Sequence, residues 1–196
     1  MEQQPDAEVF KSAMRTLYSQ YLTTFPHERE RLLRLKTCLD GNLEIHLRSV
    51  MEGHVTASAV LLSADKTQVL LIHHRALNKW ILPGGHYDLE DATLWQCAKR
   101  ETTEEAGIQS LTLDNWHQYN GTIPLDIDIH AIPARPAKNE GAHYHFDCRF
   151  LFRVDRQSSL VIAQRELVAA DWKPVHTMQS EPGLSTLAHK IQHIIQ

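Results

Sequence analysis

Cysteine is scarce in this chain, and long apolar runs are missing from it. The three cysteines, Cys38, Cys97 and Cys148, are odd in number and show no C-x-x-C spacing, so neither a disulfide framework nor a zinc knuckle is indicated. We expect buried, inert thiols in a reducing compartment. No apolar run approaches about 18 residues, and the N-terminus lacks a basic segment followed by an apolar core. The sequence therefore predicts a cytoplasmic protein with no membrane partner.

An excess of basic residues is also missing. Lys and Arg number 20 against 24 Asp and Glu, which leaves a net charge of −4. Binding of a nucleic acid polymer by bulk charge usually needs a basic patch, so no such partner is expected. An acidic protein still binds a small phosphorylated molecule if a metal ion supplies the positive charge. With 196 residues, 42% of them hydrophobic, the chain suits one globular domain with an appendage.

Three carboxylates are crowded onto one face of a predicted helix. Glu101, Glu104 and Glu105 stand at positions i, i+3 and i+4, within an arc of about 100°. Each like-charged i,i+4 pair costs roughly 0.2–0.5 kcal/mol on a bare helix, and a hard divalent cation would turn that repulsion into a binding site. On an arbitrary helix such a cluster is usually a solvated face. The Gly84-Gly85 turn that precedes this helix favours a metal site.

Together these residues resemble the Nudix box, G-x5-E-x7-R-E-U-x-E-E-x-G-U with U apolar. The matching positions are Gly85, Arg100-Glu101, Glu104-Glu105 and Gly107-Ile108. The chain departs from the pattern twice, since Asp91 replaces the first Glu, one residue further from Arg100 than the pattern has it, and Thr102 takes an apolar position. The extra residue falls near the start of the helix, so it leaves the Arg-Glu-x-x-Glu-Glu geometry intact and the role of Asp91 open.

The resemblance extends weakly from about residue 54 to about residue 175 and looks like an uncharacterised bacterial Nudix subgroup. It implies an α+β fold, an α/β/α sandwich around a mixed β-sheet. We expect the Nudix hydrolase domain to span residues 49–196, with the box at residues 85–108. Residues 1–48 would form an N-terminal helical extension of two amphipathic helices, which caps the domain, mediates dimerisation or holds part of a substrate. The protein would be a monomer or a homodimer.

The resemblance also implies an activity, the hydrolysis of a phosphoanhydride in a nucleoside diphosphate linked to another moiety. Mg²⁺ or Mn²⁺ would neutralise the phosphate oxygens and acidify a bound water. Glu101 is the expected general base, with Glu140 and Glu166 as alternatives, and Arg100 would orient a carboxylate by a bidentate pair. The expected catalytic residues are Glu101, Arg100 and Glu105, and the expected metal ligands are Gly85, Glu101, Glu104 and Glu105. Substrate contacts are expected from His74, Arg75, Lys79, Gly84 and Gly85.

Two later segments alternate strictly between polar and apolar residues, which predicts strands. A further strand is predicted near Leu111–Leu113 and Trp116–Tyr119. If the two alternating strands pair, their polar faces meet, and imidazole beside carboxylate suits a second metal site or a proton relay. The alternative is the solvated side of a half-buried sheet. The possible second site comprises Asp126, Asp128, His130, Glu140, His143, His145 and Asp147.

Two other functions fit the resemblance. A Nudix fold can serve as a ligand-sensing module without turnover, although all three helix carboxylates are present here. An isopentenyl-diphosphate isomerase-like enzyme would use a His-rich metal site, and the chain has 13 histidines. That branch places a reactive Cys in a Cys-Ser-His-Pro context, which does not occur in this sequence.

Overall fold

The structure, a computed structural model, describes residues 7–136, 139–154, 160, 163 and 167–195. The helices are α1 (Ala7–Thr24), α2 (Leu33–Asp40), α3 (Leu94–Ala106), α4 (Asn115–Tyr119) and α5 (Ser185–Ile195), with 3₁₀ helices at Pro26–Glu28 and Val175–Ser180. The strands are β1 (His54–Leu62), β2 (Gln68–His74), β3 (Lys79–Ile81), β4 (Gly84–His86), β5 (Leu111–Leu113), β6 (Asp126–Ile132), β7 (His143–Val154) and β8 (Leu167–Pro174). No described helix is long and apolar enough to span a membrane.

The strands form one mixed sheet. Five strands lie side by side in the order β3-β2-β1-β7-β5. In addition, β4 pairs with β1, β6 pairs with β7 and β8 pairs with β2. Strands β1 and β7 pair in parallel, from His54↔His145 to Leu62↔Arg153, whereas the other pairs are antiparallel. Strand β1 is buried along its whole length, as expected for a central strand that is covered on both faces.

Helices cover the two faces of this sheet. Ala57 of β1 belongs to one apolar core together with Cys97 of α3, and Val60 belongs to a second core together with Leu187 of α5. Because neighbouring strand residues point to opposite faces, these cores lie on opposite sides. The predicted α/β/α sandwich around a mixed sheet is confirmed.

The N-terminal helices pack into the core that contains α3. Helix α1 buries Met14 and Tyr21, and α2 buries Leu35, with at most 2% of each exposed, in the cluster that also holds Phe146 of β7. The role of these helices as a cap, a dimer contact or part of the substrate site stays a prediction. The division of the chain at residue 48 stays a prediction.

Helix α3 is capped at both ends. The Thr93 hydroxyl accepts a hydrogen bond from the Gln96 amide at 3.3 Å, which is an N-cap, and Gly107 ends the helix in the left-handed region with φ 72°. Thr102, at the box position that is usually apolar, is fully buried. Its hydroxyl donates to the Ala98 carbonyl at 2.7 Å, so the departure from the pattern leaves no unpaired polar atom.

The predicted strand at Trp116–Tyr119 is wrong, because the segment forms helix α4. Asp114 caps it by accepting a hydrogen bond from the Trp116 amide at 2.8 Å. The buried His117 then docks the helix: its Nδ1 donates to the Ile123 carbonyl at 2.8 Å, and its Nε2 accepts from the Leu151 amide at 2.9 Å. These two contacts require the neutral imidazole.

We expect His117 to make the stability of the fold depend on pH. Burial lowers the pKa of His117 below its usual 6.5, so at mildly acidic pH the unfolded chain binds a proton that the folded chain does not. The free energy of unfolding should therefore fall as pH drops below about 6.5, by up to about 1.4 kcal/mol per pH unit for one proton. Urea unfolding would be measured between about pH 5 and 7.5, the range in which a free histidine titrates. These measurements give the slope.

His117→Gln should lower stability but also flatten the slope, because glutamine takes up no proton. The matched control is His176→Gln, since His176 is exposed and its replacement should leave the slope unchanged. Equal slopes in the parent and in His117→Gln would contradict the assignment.

Candidate active site

Gly84 and Gly85 were predicted to form a turn, but they begin strand β4, because they pair with Ser58 and Ala57 of β1. The backbone of β4 lies against two carboxylates of α3. A Cβ added to Gly85 would lie 2.4 Å from Glu101 Cδ, and one added to Gly84 would lie 2.5 Å from the Ala57 carbonyl oxygen. The Gly84 amide donates to Glu105 Oε2 at 2.9 Å. Only glycine allows this approach, so the two glycines and the two carboxylates form one unit.

Arg100 orients the carboxylates of this unit. Its Nε and Nη2 donate to the two oxygens of Asp91 at 2.9 and 2.8 Å, a bidentate pair of the kind that arginine makes with carboxylates. Its Nη1 donates to Glu101 Oε1 at 2.9 Å and lies 3.5 Å from Glu104 Oε1. Asp91 is buried. The acidic residue that departs from the box therefore anchors Arg100.

The three helix carboxylates differ in exposure. Glu105 is buried, the Glu101 side chain is 16% exposed and the Glu104 side chain is 59% exposed. Burial raises the pKa of Glu101 above its usual value, although Arg100 opposes the shift. Carboxylate and carbonyl oxygens are the ligands that a hard divalent cation prefers. The assignment of Gly85, Glu101, Glu104 and Glu105 as metal ligands stays a prediction.

Besides the two glycines, His74, Arg75 and Lys79 were predicted to contact substrate. These three residues lie around the turn between β2 and β3. His74 pairs with Lys79 across the two strands, and His74 Nδ1 accepts from the Leu77 amide at 3.2 Å. Arg75 Nη2 donates to the Leu167 carbonyl at 3.1 Å. These contacts order the turn, and the role of the three side chains in substrate binding stays a prediction.

Of the two alternative bases, Glu140 contacts residues other than the box carboxylates. Glu140 forms a bridge with Arg135, and its Oε1 lies 3.6 Å from His143 Nε2. Glu166 lies outside the described residues. The assignment of Glu101 as the general base stays a prediction.

The possible second site is divided in two by the structure. Strands β6 and β7 pair so that Asp128 faces Asp147 and His130 faces His145, which brings the two polar sets together as expected. The three aspartates nevertheless converge on Arg149, which is 4% exposed. Its guanidinium donates to Asp147 at 2.9 Å, Asp126 at 3.1 Å and Asp128 at 3.0 Å. The three aspartates therefore neutralise the buried Arg149 guanidinium and do not form a solvated face.

Asp126 extends this ion network to the N-terminal segment and to α5. Its Oδ1 accepts from Arg31 Nη2 at 2.6 Å and from Lys190 Nζ at 2.9 Å, and Lys190 Nζ also donates to the Tyr21 hydroxyl at 2.7 Å. Burial alone would raise the pKa of Asp126, but Arg149, Lys190 and Arg31 outweigh it and lower that pKa. The network therefore ties four parts of the chain together: α1, the segment before α2, the sheet and α5.

The histidines of the second set gather at the other end of the same face. We call His54, His86, His130, His143 and His145 the histidine cluster. Ring centroids within it lie 4.8 Å apart for His54 and His143, 5.0 Å for His86 and His145, and 5.4 Å for His130 and His145. Sequence analysis missed His54 and His86, because their approach depends on the pairing of β1 with β7 and β4.

The sandwich, and the two glycines of β4 held against the carboxylates of α3, define a Nudix-type pyrophosphohydrolase. A family model described as a NUDIX domain matches residues 53–193, so this chain belongs to the Nudix hydrolase superfamily. The family and the enzyme class predicted from the sequence are thus confirmed.

Individual relatives support the same family. A curated protein named as a probable DHNTP pyrophosphohydrolase, from Lactococcus lactis subsp. cremoris, is 28% identical over 132 residues, which cover 67% of this chain and 73% of that protein. A solved Ap4A hydrolase of C. elegans matches with a TM-score of 0.54 at 19% identity, covering 72% of this chain and 96% of that one. The dihydroneopterin triphosphate pyrophosphohydrolase of E. coli matches with a TM-score of 0.50 at 19% identity, covering 72% and 94%. At these identities the two structures show the fold.

Proposed function

We propose that this enzyme cleaves a phosphoanhydride of a small phosphorylated metabolite by attack of water on phosphorus, with Mg²⁺ or Mn²⁺ as cofactor. The observation that carries the proposal is the contact of Glu101 with the backbone of Gly85, beside the Gly84 amide that holds Glu105. Gly85, Glu101, Glu104 and Glu105 would hold the ion. When bound, it neutralises phosphate oxygens and acidifies a water molecule.

The protein residues then have separate tasks. Glu101 would take the proton of the attacking water, because its burial raises its pKa and makes it a stronger base than an exposed glutamate. Arg100 holds Glu101 in position while Asp91 holds Arg100. Arg100 is thus a positioning residue, since its guanidinium is already committed to these carboxylates.

The proposed substrate is a nucleoside di- or polyphosphate or a related metabolite with a diphosphate linkage. His74, Arg75 and Lys79 are proposed to contact its phosphates. The name of the curated relative adds dihydroneopterin triphosphate to the substrates worth testing. An isomerase-like activity has little support, because the free cysteines Cys38, Cys97 and Cys148 are all buried and burial raises the pKa of each thiol. The proposed compartment is the cytoplasm, where such thiols stay reduced.

A substrate panel tests the proposal. The purified chain would be offered dihydroneopterin triphosphate, Ap4A, ADP-ribose, NADH, nucleotide sugars and modified dNTPs, each with Mg²⁺, with Mn²⁺ and with chelator. We expect turnover of at least one substrate that chelator abolishes, and the use of ¹⁸O-labelled water should place the label on a phosphate product. If no substrate turns over, but one binds and raises the melting temperature, the chain is a ligand-sensing module.

A further inference from the structure

The histidine cluster lies on the opposite face of the sheet from the Nudix carboxylates. Glu101 contacts the Cβ side of Gly85, whereas the ring of His86, the next residue of β4, packs on His54 and His145. Neighbouring strand residues point to opposite faces. The cluster is therefore a separate constellation, and the proposed hydrolysis leaves it unused.

Three members of the cluster bring ring nitrogens close together. His54, His143 and His145 each offer a nitrogen, and the three atoms lie within 4.8 Å of one another. His143 Nε2 and His145 Nε2 are 3.2 Å apart. Two nitrogens bound tetrahedrally to one ion at about 2.0–2.1 Å are separated by about 3.3–3.4 Å, so this pair already has nearly the spacing of two ligands.

The outer ring nitrogens of two of these histidines are anchored to backbone. His54 Nδ1 lies 3.2 Å from the Val50 carbonyl, and His143 Nδ1 lies 2.8 Å from the Gly141 carbonyl. A carbonyl only accepts, so in both rings Nδ1 carries the proton and Nε2 keeps its lone pair. Metal-binding histidines are commonly oriented by this kind of hydrogen bond.

One of these lone pairs has no partner within the described part of the protein. His54 is 2% exposed, and its Nε2 is buried without a hydrogen bond. Leaving a buried polar atom unpaired is costly, so its presence calls for an explanation. A bound metal ion that accepts this lone pair would explain why His54 Nε2 has no hydrogen bond.

We propose that His54, His143 and His145 bind a divalent transition-metal ion of the zinc type through their Nε2 atoms, at a site independent of the Nudix carboxylates. Imidazole nitrogens select Zn²⁺, Fe²⁺, Co²⁺ or Ni²⁺ over Mg²⁺, which prefers oxygen. Three histidines leave at least one coordination position open for water or a further ligand.

Some charged groups near the cluster would favour a bound cation, and others would oppose it. Glu140 is the nearest carboxylate to His143, with Oε1 3.6 Å from Nε2, and it can offset part of the charge of the ion. Arg48 and Arg135 act the other way, since both disfavour protonation of His86. Burial lowers the pKa of His54 and lowers that of His145 to about 2, so these two rings are neutral near pH 7, as metal binding requires.

Cobalt titration of the full-length chain tests the proposal. Protein freed of metal by a chelator would be titrated with Co²⁺ in excess Mg²⁺, which keeps the Nudix carboxylates occupied. We expect one equivalent of Co²⁺ to give visible absorption bands that Zn²⁺ then removes. His143→Ala and His145→Ala should each weaken Co²⁺ binding by about 100-fold or more, beyond the 10–100-fold typical of losing an outer contact.

Two controls separate the site from other metal binding. His176→Ala removes an exposed histidine elsewhere and should change neither affinity nor spectrum. The double variant Glu101→Gln, Glu105→Gln should keep the bands, and circular dichroism should show that every variant is folded. Absence of the bands in the parent protein overturns the proposal without reference to any variant. Bands that persist in His143→Ala and His145→Ala, or that vanish in the glutamine double variant, overturn it as well.

Discussion

Replacing Glu101 by glutamine is expected to lower kcat by about 10²- to 10⁴-fold, the range typical for loss of a general base. The substitution keeps the shape of the side chain against Gly85 but removes the charge that would hold the ion and take the proton. The Arg100 contact at 2.9 Å survives as a hydrogen bond from the guanidinium to a neutral amide oxygen, so the melting temperature should change little. Steady-state kinetics on the best substrate of the panel, with thermal melting, measure both effects. Glu105→Gln should also remove most of the activity.

The matched control is Glu90→Gln, because Glu90 is an exposed glutamate between β4 and α3. Its replacement should leave kcat within about twofold of the parent, as is usual for surface substitutions away from a site. Gly85→Ala provides a second test, since its Cβ would lie 2.4 Å from Glu101 Cδ and must displace that carboxylate. Normal turnover in Glu101→Gln would rule out Glu101 as the base and leave the role to residues outside the box.

Replacing Arg149 by methionine is expected to lower the free energy of unfolding by about 3–5 kcal/mol, the usual cost of removing one partner from a buried ion pair. Asp126, Asp128 and Asp147 would lose the guanidinium that lies 2.9–3.1 Å from them. Arg31 and Lys190 would still compensate Asp126, but Asp147 would keep only the Thr56 and Ser58 hydroxyls as partners. Urea unfolding followed by circular dichroism measures the loss.

Arg153→Met is the matched control on the same strand. The Arg153 side chain is 50% exposed, and its Nε contacts Asp114 at 2.7 Å, so its loss should cost about 1 kcal/mol or less. If the two variants were equally stable, the Arg149 network would contribute no more than a surface ion pair. Such a result would favour the alternative interpretation, in which the polar face of β6 and β7 is the solvated side of the sheet.

Local sequence was sufficient for the catalytic helix. The box spacing depends on positions only three or four residues apart, and helical geometry alone places such residues on one face. The same holds for the alternation of β6 and β7, which predicted that Asp128 and Asp147 would share a face. The register of the two strands then made them neighbours. Helix α4 was mispredicted although its cap from Asp114 is a local signal. The helix has only 5 residues, and it is held in place by His117, which contacts the Ile123 carbonyl and the distant Leu151 amide.

The sequence by itself thus determined the family, the carboxylate helix and the alternation of the polar strands, since each is a pattern of near neighbours along the chain. Only the tertiary structure decided which polar groups are buried and with what partners. Arg149 draws in aspartates from two strands, and His54 meets His143 and His145 only because β1 lies parallel to β7. The residues of each contact are far apart in sequence, and the energy of a buried charge or of an unpaired nitrogen depends on its surroundings. Those surroundings are assembled only when the sheet forms.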